Sequence, residues 1–183
     1  MSECLTPDQE RYLLGLARRA IEHYFATGEH LRAPAKEAWL KEKRGAFVTL
    51  KADGELRGCV GYPLPYKPLA ETVVEMAVAA ATQDFRFNPL TPEELAGTRI
   101  EISVLSLPEP VKDAKDVEVG RHGIIIAKGH CRGLLLPQVP VEQEWDRETY
   151  LRHGCLKAGL GPDEWKRGAK IEVFTAQVFS ESE

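Results

Sequence analysis

Residues 45–62 carry the sequence GAFVTLKADGELRGCVGY, in which two β-prone runs flank the pair Asp53-Gly54. An Asp-Gly pair between such runs is the strongest short-range signal for a β-hairpin. The second run is interrupted by Gly58 and Gly61. Glycine inside a strand is typical of a bulge or of a close approach by another backbone. The stretch therefore predicts an antiparallel hairpin whose second strand is irregular.

The register of this hairpin determines which side chains share a face of the sheet. If the loop consists of two residues, Leu50 lies opposite Arg57 and Val48 lies opposite Cys59. Directly opposed residues point to the same side of a sheet. We therefore expect Arg57 and Cys59 to share a face with Val48 and Leu50.

The segments around the hairpin mix helices with strands. Thr6 is a predicted N-cap, with Pro7 at the first helical position and Gln9 placed to complete a capping box; Gly28 is the expected end of that helix. Further predicted elements are a short helix over residues 35–43, a helix over 68–84, a short helix after Thr91, a strand over 99–107, two strands joined near Gly129, a helix from Asp146 to Gly159, and a last strand over 171–179. Because helices and hairpins do not alternate as βαβ units, this order predicts an α+β fold with mainly antiparallel sheet.

The composition excludes several classes of protein. The 183 residues include 24 Lys and Arg against 28 Asp and Glu, a net charge of −4, which argues against nucleic acid as a partner. No segment approaches the roughly 18 apolar residues of a membrane span, and the start of the chain lacks the pattern of a signal peptide. We therefore expect a soluble, cytoplasmic protein whose four cysteines are free thiols. A single Asn is weakly typical of a thermophilic source.

Cys59 is the first candidate for chemistry. An arginine close to a thiol favours the thiolate, which is the reactive form of cysteine, and Arg57 is expected on the same strand face. The alternative is structural: Cys59 would be a small core residue beside Val48, and Arg57 would bind a structural carboxylate. Spacing alone leaves both interpretations open.

Glu101 is a second candidate, on the strand RIEISVLSL. Ile100, Ile102 and Val104 are expected on one face of this strand, and Glu101 and Ser103 on the other. These two polar residues either line a polar cleft or form the solvated side of a half-exposed strand.

The other chemistry-bearing residues favour structural roles. His153 and Cys155 are two positions apart on a predicted helix, so their side chains diverge and cannot act as a pair unless the helix is broken at Gly154. We interpret Phe85, Arg86 and Phe87 as a core anchor rather than as a ligand-stacking cluster. The sequence contains no metal-binding or phosphate-binding motif, and we predict neither a metal nor a cofactor.

Several motifs together resemble one protein family, the AMMECR family, named for the Alport-syndrome, midface-hypoplasia and elliptocytosis chromosomal region. Its signature LRGCIG is similar to LRGCVG at residues 56–61, with Val60 in place of Ile. The other similar stretches, in the family's order, are AAATQDFRFNPLT at 79–91, EISVL at 101–105, GLLLPQV at 133–139 and CLKAGL at 155–160. The resemblance extends from about residue 10 to residue 178.

The resemblance implies one AMMECR-type domain over residues 1–183, with two intertwined, unequal subdomains. Each subdomain is expected to hold an antiparallel sheet flanked by helices, with a cleft between the two. Some family members accompany Memo-type and radical-SAM proteins, which are therefore possible partners. No agreed activity comes with the family. Its Arg-Gly-Cys stretch is the suspected site, comprising Cys59 and Arg57 with the flanking residues Leu56, Gly58, Val60 and Gly61.

Two functional hypotheses follow from the sequence. In the first, the protein is an enzyme or an enzyme's accessory subunit that acts on a small molecule or peptide in the cleft. Cys59 would be the nucleophile or redox thiol, Arg57 would stabilise the thiolate or hold an anionic substrate, and Glu101 would be an acid–base residue. In the second, the protein is a non-catalytic adapter that docks through the LRGCVG hairpin by strand addition.

Overall fold

The computed structural model describes residues 4–34 and 36–182. Within this part of the chain, residues 4–105 and 177–182 form one compact unit, unit 1, and residues 106–176 form a second, unit 2. The helices are α1 (Pro7–Thr27), α2 (Ala38–Lys41), α3 (Leu69–Thr82), α4 (Pro92–Leu95), α5 (Val139–Glu142) and α6 (Arg147–Lys157). The strands are β1 (Ala46–Ala52), β2 (Glu55–Tyr62), β3 (Thr98–Leu105), β4 (Glu109–Pro110), β5 (Gly123–Lys128), β6 (Cys131–Leu135), β7 (Lys170–Phe174) and β8 (Ala176–Ser180). Two further segments form single turns of 3₁₀ helix, Ala114–Asp116 and Glu164–Lys166.

Both sheets are four-stranded and antiparallel, so the predicted α+β class is confirmed. The strand order is β2-β1-β3-β8 in unit 1 and β4-β7-β5-β6 in unit 2. Helices α1 and α3 pack on one face of the unit 1 sheet and bury an apolar core there. We call this the helix face of the sheet and the opposite face the outer face.

Helix α1 begins and ends where the sequence predicts. The Thr6 side chain accepts the Gln9 N–H, the Gln9 side chain accepts the Thr6 N–H, and Gly28 ends the helix with a φ of 74°. Glycine adopts this left-handed conformation without steric cost, which is why it is common after the last helical turn. Helix α2 is shorter than predicted, and residue 35 of the predicted helix lies outside the described residues.

The hairpin forms around Asp53-Gly54, but its register is not the predicted one. Lys51 lies opposite Leu56, and Leu50 lies opposite Gly58, so Arg57 is an extra residue in β2. Such a β-bulge moves each later residue of the strand to the face opposite the one expected from the turn. The predicted pairing of Leu50 with Arg57 is therefore wrong.

The bulge places Cys59 on the outer face. Cys59 lies opposite Thr49 rather than opposite Val48 as predicted, and Val48 and Leu50 are completely buried on the helix face. Val60, the next residue after Cys59, packs against the helix-face core. The outer face carries a set of partly exposed residues from three strands, namely Phe47, Thr49, Lys51, Cys59, Gly61, Glu101 and Ser103.

Two glycines of the LRGCVG stretch allow close packing. A Cβ atom on Gly58 would lie 2.2 Å from the carbonyl oxygen of Ala80, so α3 rests directly against the backbone of β2. On the outer face, a Cβ atom on Gly61 would lie 2.4 Å from the ring of Phe47. Neither position has room for a side chain.

Unit 1 is completed by residues that follow unit 2 in the chain. Strand β8 forms the edge of its sheet beside β3. The Leu5 N–H donates to the Gln177 side chain at 2.8 Å. The Glu181 carboxylate accepts from Nε and Nη2 of Arg18 at 2.7 and 2.6 Å and from the Ile100 N–H at 2.9 Å. These contacts connect the two ends of the described chain.

The predicted last strand is two strands. The run IEVFTAQVF divides at Thr175, with β7 in the unit 2 sheet and β8 in the unit 1 sheet. At the crossing, the Ser106 N–H donates to the Thr175 carbonyl at 2.8 Å, and the Thr175 N–H donates to the Ser106 hydroxyl at 2.9 Å. The apolar run contains no Gly or Pro that would have indicated a break.

In unit 2, helix α6 packs closely on its sheet. A Cβ atom on Gly133 would lie 2.3 Å from the backbone nitrogen of Ala158, and one on Gly154 would lie 2.7 Å from the side chain of Ile124. The stretches GLLLPQV and CLKAGL therefore contribute the two sides of one helix–sheet contact.

Tyr150 is the centre of the unit 2 core. Its side chain is completely buried, and its hydroxyl donates to the His122 carbonyl at 3.0 Å. Burial raises the pKa of this phenol well above its ordinary value. The ring and the hydroxyl thus join helix α6 to the loop before β5.

Candidate functional site

The Cys59 thiol lies on the outer face beside a hydroxyl group. The Thr49 hydroxyl donates to the Cys59 sulfur at 3.1 Å, and the thiol is only partly buried. The Cys59 N–H points away from the neighbouring strand β1 and donates to the Asp84 carboxylate at 2.9 Å. Cys59 and Thr49 thus form a pair without mutual backbone hydrogen bonds, the arrangement that brings opposed side chains closest in an antiparallel sheet.

Asp84 and Arg86 form a rigid ion pair beside Cys59. Nε and Nη2 of Arg86 donate to the two oxygens of Asp84 at 2.9 and 2.7 Å, and Nη2 also lies 3.4 Å from the Cys59 carbonyl oxygen. The Asp84 side chain is 5% exposed, whereas that of Arg86 is 46% exposed. The Arg86 hydrogen bonds hold the pKa of Asp84 well below its usual range, and the same bonds raise the pKa of Arg86. Both groups are therefore charged at neutral pH.

Asp84→Asn should lower the stability of the protein in a pH-dependent way. Since the pKa of Asp84 is depressed in the folded state, its contribution is fully present above the pKa of the unfolded carboxyl and is lost as the pH falls through the folded-state value. We expect the variant to lose about 1–2 kcal/mol of unfolding free energy at neutral pH, and the difference from wild type to shrink below about pH 4. Denaturant titrations of both proteins, from neutral pH to below about pH 4, measure this difference in unfolding free energy.

Asp8→Asn is the matched control, because Asp8 forms an exposed ion pair with Arg11 on helix α1. Exposed pairs contribute little to stability, so this control should resemble wild type throughout. A difference between Asp84→Asn and wild type that stays constant into strong acid would contradict the assigned role of the carboxylate.

The edge of strand β2 is covered at Cys59. Strand β2 is an edge strand of the unit 1 sheet, and edge strands present backbone groups to which another chain can add. At Cys59 the N–H is bonded to Asp84, and the carbonyl oxygen lies beside Arg86. Strand addition at this point would have to displace both side chains.

Arg57 is directed to the segment that follows α3 rather than to the thiol. Its Nη1 donates to the Asn88 carbonyl at 2.8 Å, and its Nη2 donates to the Glu94 carboxylate at 3.1 Å. Its side chain is 19% exposed. Arg57 therefore fixes the loop that carries Asp84 and Arg86, and Arg86 is the guanidinium beside Cys59.

Glu101 lies in the same cross-strand row as Cys59. Thr49 of the central strand is opposite Cys59 on one side and opposite Glu101 on the other. The Glu101 carboxylate accepts from the Lys51 ammonium at 2.9 Å, and both side chains are partly exposed. A thiol, a hydroxyl and a carboxylate thus follow one another across three strands of the outer face.

The remaining candidates of the LRGCVG stretch differ in burial. Leu56 is exposed near the start of β2, whereas Val60 faces the core. Gly58 and Gly61 permit the close contacts described above.

Four residues of this site were not predicted from the sequence. Thr49 and Lys51 alternate along β1 with Val48 and Leu50, but the predicted register places Cys59 on the face of Val48 and Leu50. Asp84 and Arg86 belong to DFRF, in which residues 85–87 are predicted to form a core anchor. That interpretation is wrong for Phe85, which is 97% exposed. The signal that could have identified them is the charged Asp-x-Arg spacing after a helix.

The structural role predicted for Cys155 agrees with the structure. Cys155 is completely buried, and burial raises the pKa of its thiol. His153 instead stacks on Trp145, with ring centroids 3.8 Å apart.

Among residues 4–34 and 36–182, no three His, Cys, Asp or Glu side chains are grouped so that they could hold a metal ion. Within the same residues, no helix is long and apolar enough to cross a bilayer.

Fold and site together define an α+β protein with a cysteine on the outer face of an antiparallel sheet, and comparison with known proteins identifies its family. The AMMECR1 family model matches residues 14–179, and the chain belongs to this family. It is 49% identical to Protein MK0488 of Methanopyrus kandleri over 100% of this chain and 93% of that protein. It is 46% identical to Protein MJ0810 of Methanocaldococcus jannaschii over 98% of this chain and 93% of that one. Relatives thus include proteins of thermophilic archaea.

A solved structure has the same fold. The crystal structure of the uncharacterized protein PH0010 from Pyrococcus horikoshii matches with a TM-score of 0.80 and 42% identity. The match covers 97% of this chain and 94% of that chain. The names of these relatives state no activity.

Proposed function

We propose that the protein is an enzyme, or the accessory subunit of an enzyme, that acts on a small molecule or peptide through the thiol of Cys59. The observation that carries this proposal is the position of the sulfur. The bulge at Arg57 turns Cys59 out of the core and onto the outer face, where the Thr49 hydroxyl donates to it. A cysteine that served only to fill the core would point to the helix face.

The surroundings of Cys59 favour nucleophilic chemistry. The thiolate is the nucleophilic form of cysteine, and a hydrogen-bond donor directed at the sulfur stabilises negative charge on it. The Thr49 hydroxyl supplies such a donor at 3.1 Å. The backbone of Cys59 is fixed by Asp84, so the sulfur is held in one place on a strand rather than on a mobile loop.

Glu101 is the proposed acid–base residue. It lies in the same cross-strand row as the thiol, and Lys51 holds its carboxylate in place. A substrate bound across the row would contact Cys59 at one side and Glu101 at the other. Arg57 has a positioning role in this proposal, because it anchors the loop that carries Asp84 and Arg86.

Strand addition to the LRGCVG hairpin is the less favoured function. The contacts of Asp84 and Arg86 cover the edge of β2 at the centre of the motif. If the protein is an accessory subunit, Memo-type and radical-SAM proteins are the partners we would test first.

Alkylation of the folded protein tests the proposal. We expect iodoacetamide to modify Cys59 near neutral pH faster than it modifies the partly buried Cys131, and Cys155 to stay protected until the protein unfolds. Peptide mass spectrometry gives the rate for each cysteine. Protection of Cys59 equal to that of Cys155 would refute the proposal.

Thr49→Val should slow the alkylation of Cys59. Valine has nearly the shape of threonine but removes the donor to the sulfur, so we expect the rate near neutral pH to fall about threefold to tenfold. Thr49→Ser keeps the hydroxyl and serves as the control, with a rate close to that of wild type. Equal rates for the Val and Ser variants would show that the hydroxyl does not activate the thiol.

A further inference from the structure

We propose that Arg86 recognises a carboxylate of the substrate, so that the site accepts anionic substrates. This inference rests on the proposed function of Cys59 and names the class of its substrate. It assigns the substrate-binding role to Arg86, whereas the sequence indicates Arg57 for that role.

The position of the Arg86 guanidinium is fixed. One edge of the group is bound to both oxygens of the buried Asp84, and Nη2 also lies against the carbonyl oxygen of Cys59 itself. The Arg86 N–H adds a further bond to Asp84 at 3.2 Å. A guanidinium held in this way loses little conformational freedom when it binds a ligand.

The fixed cation remains accessible. Nearly half of the Arg86 side chain is exposed, at 46%, while its counter-ion is buried at 5%. The negative charge of the pair therefore lies inward and the positive end faces solvent. Because Nε and Nη2 are used by Asp84 and the Cys59 carbonyl, a carboxylate of the substrate would accept a charge-assisted hydrogen bond from Nη1.

The other cations near the thiol are less suited to this role. Arg57 is mostly buried and is bound to Asn88 and Glu94. Lys51 is paired with Glu101, which lies in the row we assign to acid–base chemistry. Arg86 thus combines a fixed position beside Cys59 with an open side.

Two alkylating reagents of nearly equal size separate the effect of charge from the reactivity of the thiol. Iodoacetate carries a carboxylate next to its reacting carbon, and iodoacetamide carries a neutral amide there. With either reagent the thiolate forms a sulfur–carbon bond, the carbon–iodine bond breaks, iodide leaves with the bonding electrons, and the thiol proton goes to the buffer. The ratio of the two rates at Cys59 therefore measures recognition of the carboxylate.

We expect this ratio to fall about fivefold in the double variant Asp84→Asn/Arg86→Gln, as for the loss of one hydrogen bond from Arg86 to the carboxylate of the reagent. The double variant leaves no unpaired buried carboxylate, keeps an amide oxygen for the Cys59 N–H, and does not change the net charge. Arg86→Lys keeps the charge without the planar group that Asp84 binds, and its ratio should lie between those of wild type and the double variant. Arg11→Gln, which removes an exposed arginine from helix α1, should leave the ratio unchanged.

The outcomes distinguish the two proposals. If neither reagent modifies Cys59 in the folded wild-type protein, the proposed function fails. If both reagents react but the ratio is the same in wild type and the double variant, the role of Arg86 is refuted while the thiol chemistry stands. An equal fall in Arg11→Gln would also refute it, because the effect would then be a general one of surface charge.

Discussion

Gly58→Ala should destabilise unit 1 by about 3 kcal/mol or more, at the upper end of the cost of overpacking a core. The added Cβ would lie 2.2 Å from the carbonyl oxygen of Ala80 and 3.1 Å from its carbonyl carbon. Both atoms belong to the backbone of α3, so no side chain can rotate away and the helix itself must shift. Because α3 packs against β1, β2 and α1, that shift would disturb the whole helix face.

Denaturant titration measures this loss, and hydrogen exchange resolved by peptide shows whether it is confined to unit 1. Gly97→Ala is the control, because a Cβ there would lie 3.8 Å from its nearest neighbour, the Glu94 carbonyl oxygen. We expect that variant to stay within about 0.5 kcal/mol of wild type. If Gly58→Ala were equally mild, the glycine would not be required for the contact of α3 with β2.

Tyr150→Ala should cost about 3–5 kcal/mol, the usual range for truncation of a buried aromatic residue. The ring is completely buried among the residues that join α6 to the unit 2 sheet, and the large cavity left behind cannot be filled by a neighbouring side chain without further rearrangement. The variant would also remove the hydroxyl that donates to the His122 carbonyl. The free energy of unfolding and the exchange of unit 2 amides report the effect.

Tyr150→Phe separates the two contributions, since it keeps the ring and removes only the hydroxyl. Its cost should be about 1–2 kcal/mol, that of a lost hydrogen bond to a buried carbonyl. Phe85→Ala is the control for aromatic truncation as such, because Phe85 is almost fully exposed. A loss for Phe85→Ala as large as that for Tyr150→Ala would contradict this account of the core.

Local signals in the sequence predicted the elements well. The capping box of Thr6 and Gln9, the left-handed Gly28 and the hairpin at Asp53-Gly54 depend on residues a few positions apart. The sequence contains all partners of such interactions within one short window. The α+β class therefore followed from the chain alone, although the division of the last predicted strand into β7 and β8 did not.

The face of the sheet on which Cys59 lies could not be obtained in the same way. Counting outward from the turn assumes that neither strand contains an extra residue, and the bulge at Arg57 violates that assumption. Position 58 requires glycine because the backbone of Ala80 lies against it, and Ala80 is distant in the sequence. The glycines did indicate a bulge or a close approach, but not its effect on Cys59.

The surroundings of the thiol depend on contacts between distant segments. Asp84 reaches Cys59 from the loop after α3, and Glu101 joins the row from β3. Neither contact can be inferred from the spacing of residues along the sequence. Arg57, by contrast, was selected because it is close in sequence, and its hydrogen bonds lead to Asn88 and Glu94 instead.

The completion of unit 1 by β8 has a consequence for the order of events during synthesis. Residues 177–182, which supply β8 and the partners of Leu5 and Arg18, leave the ribosome only after all of unit 2 has been made. Until then β3 is an unpaired edge, and such edges are prone to associate with other chains. The N-terminal part of this protein therefore cannot complete its sheet until the segment inserted into it has been synthesised.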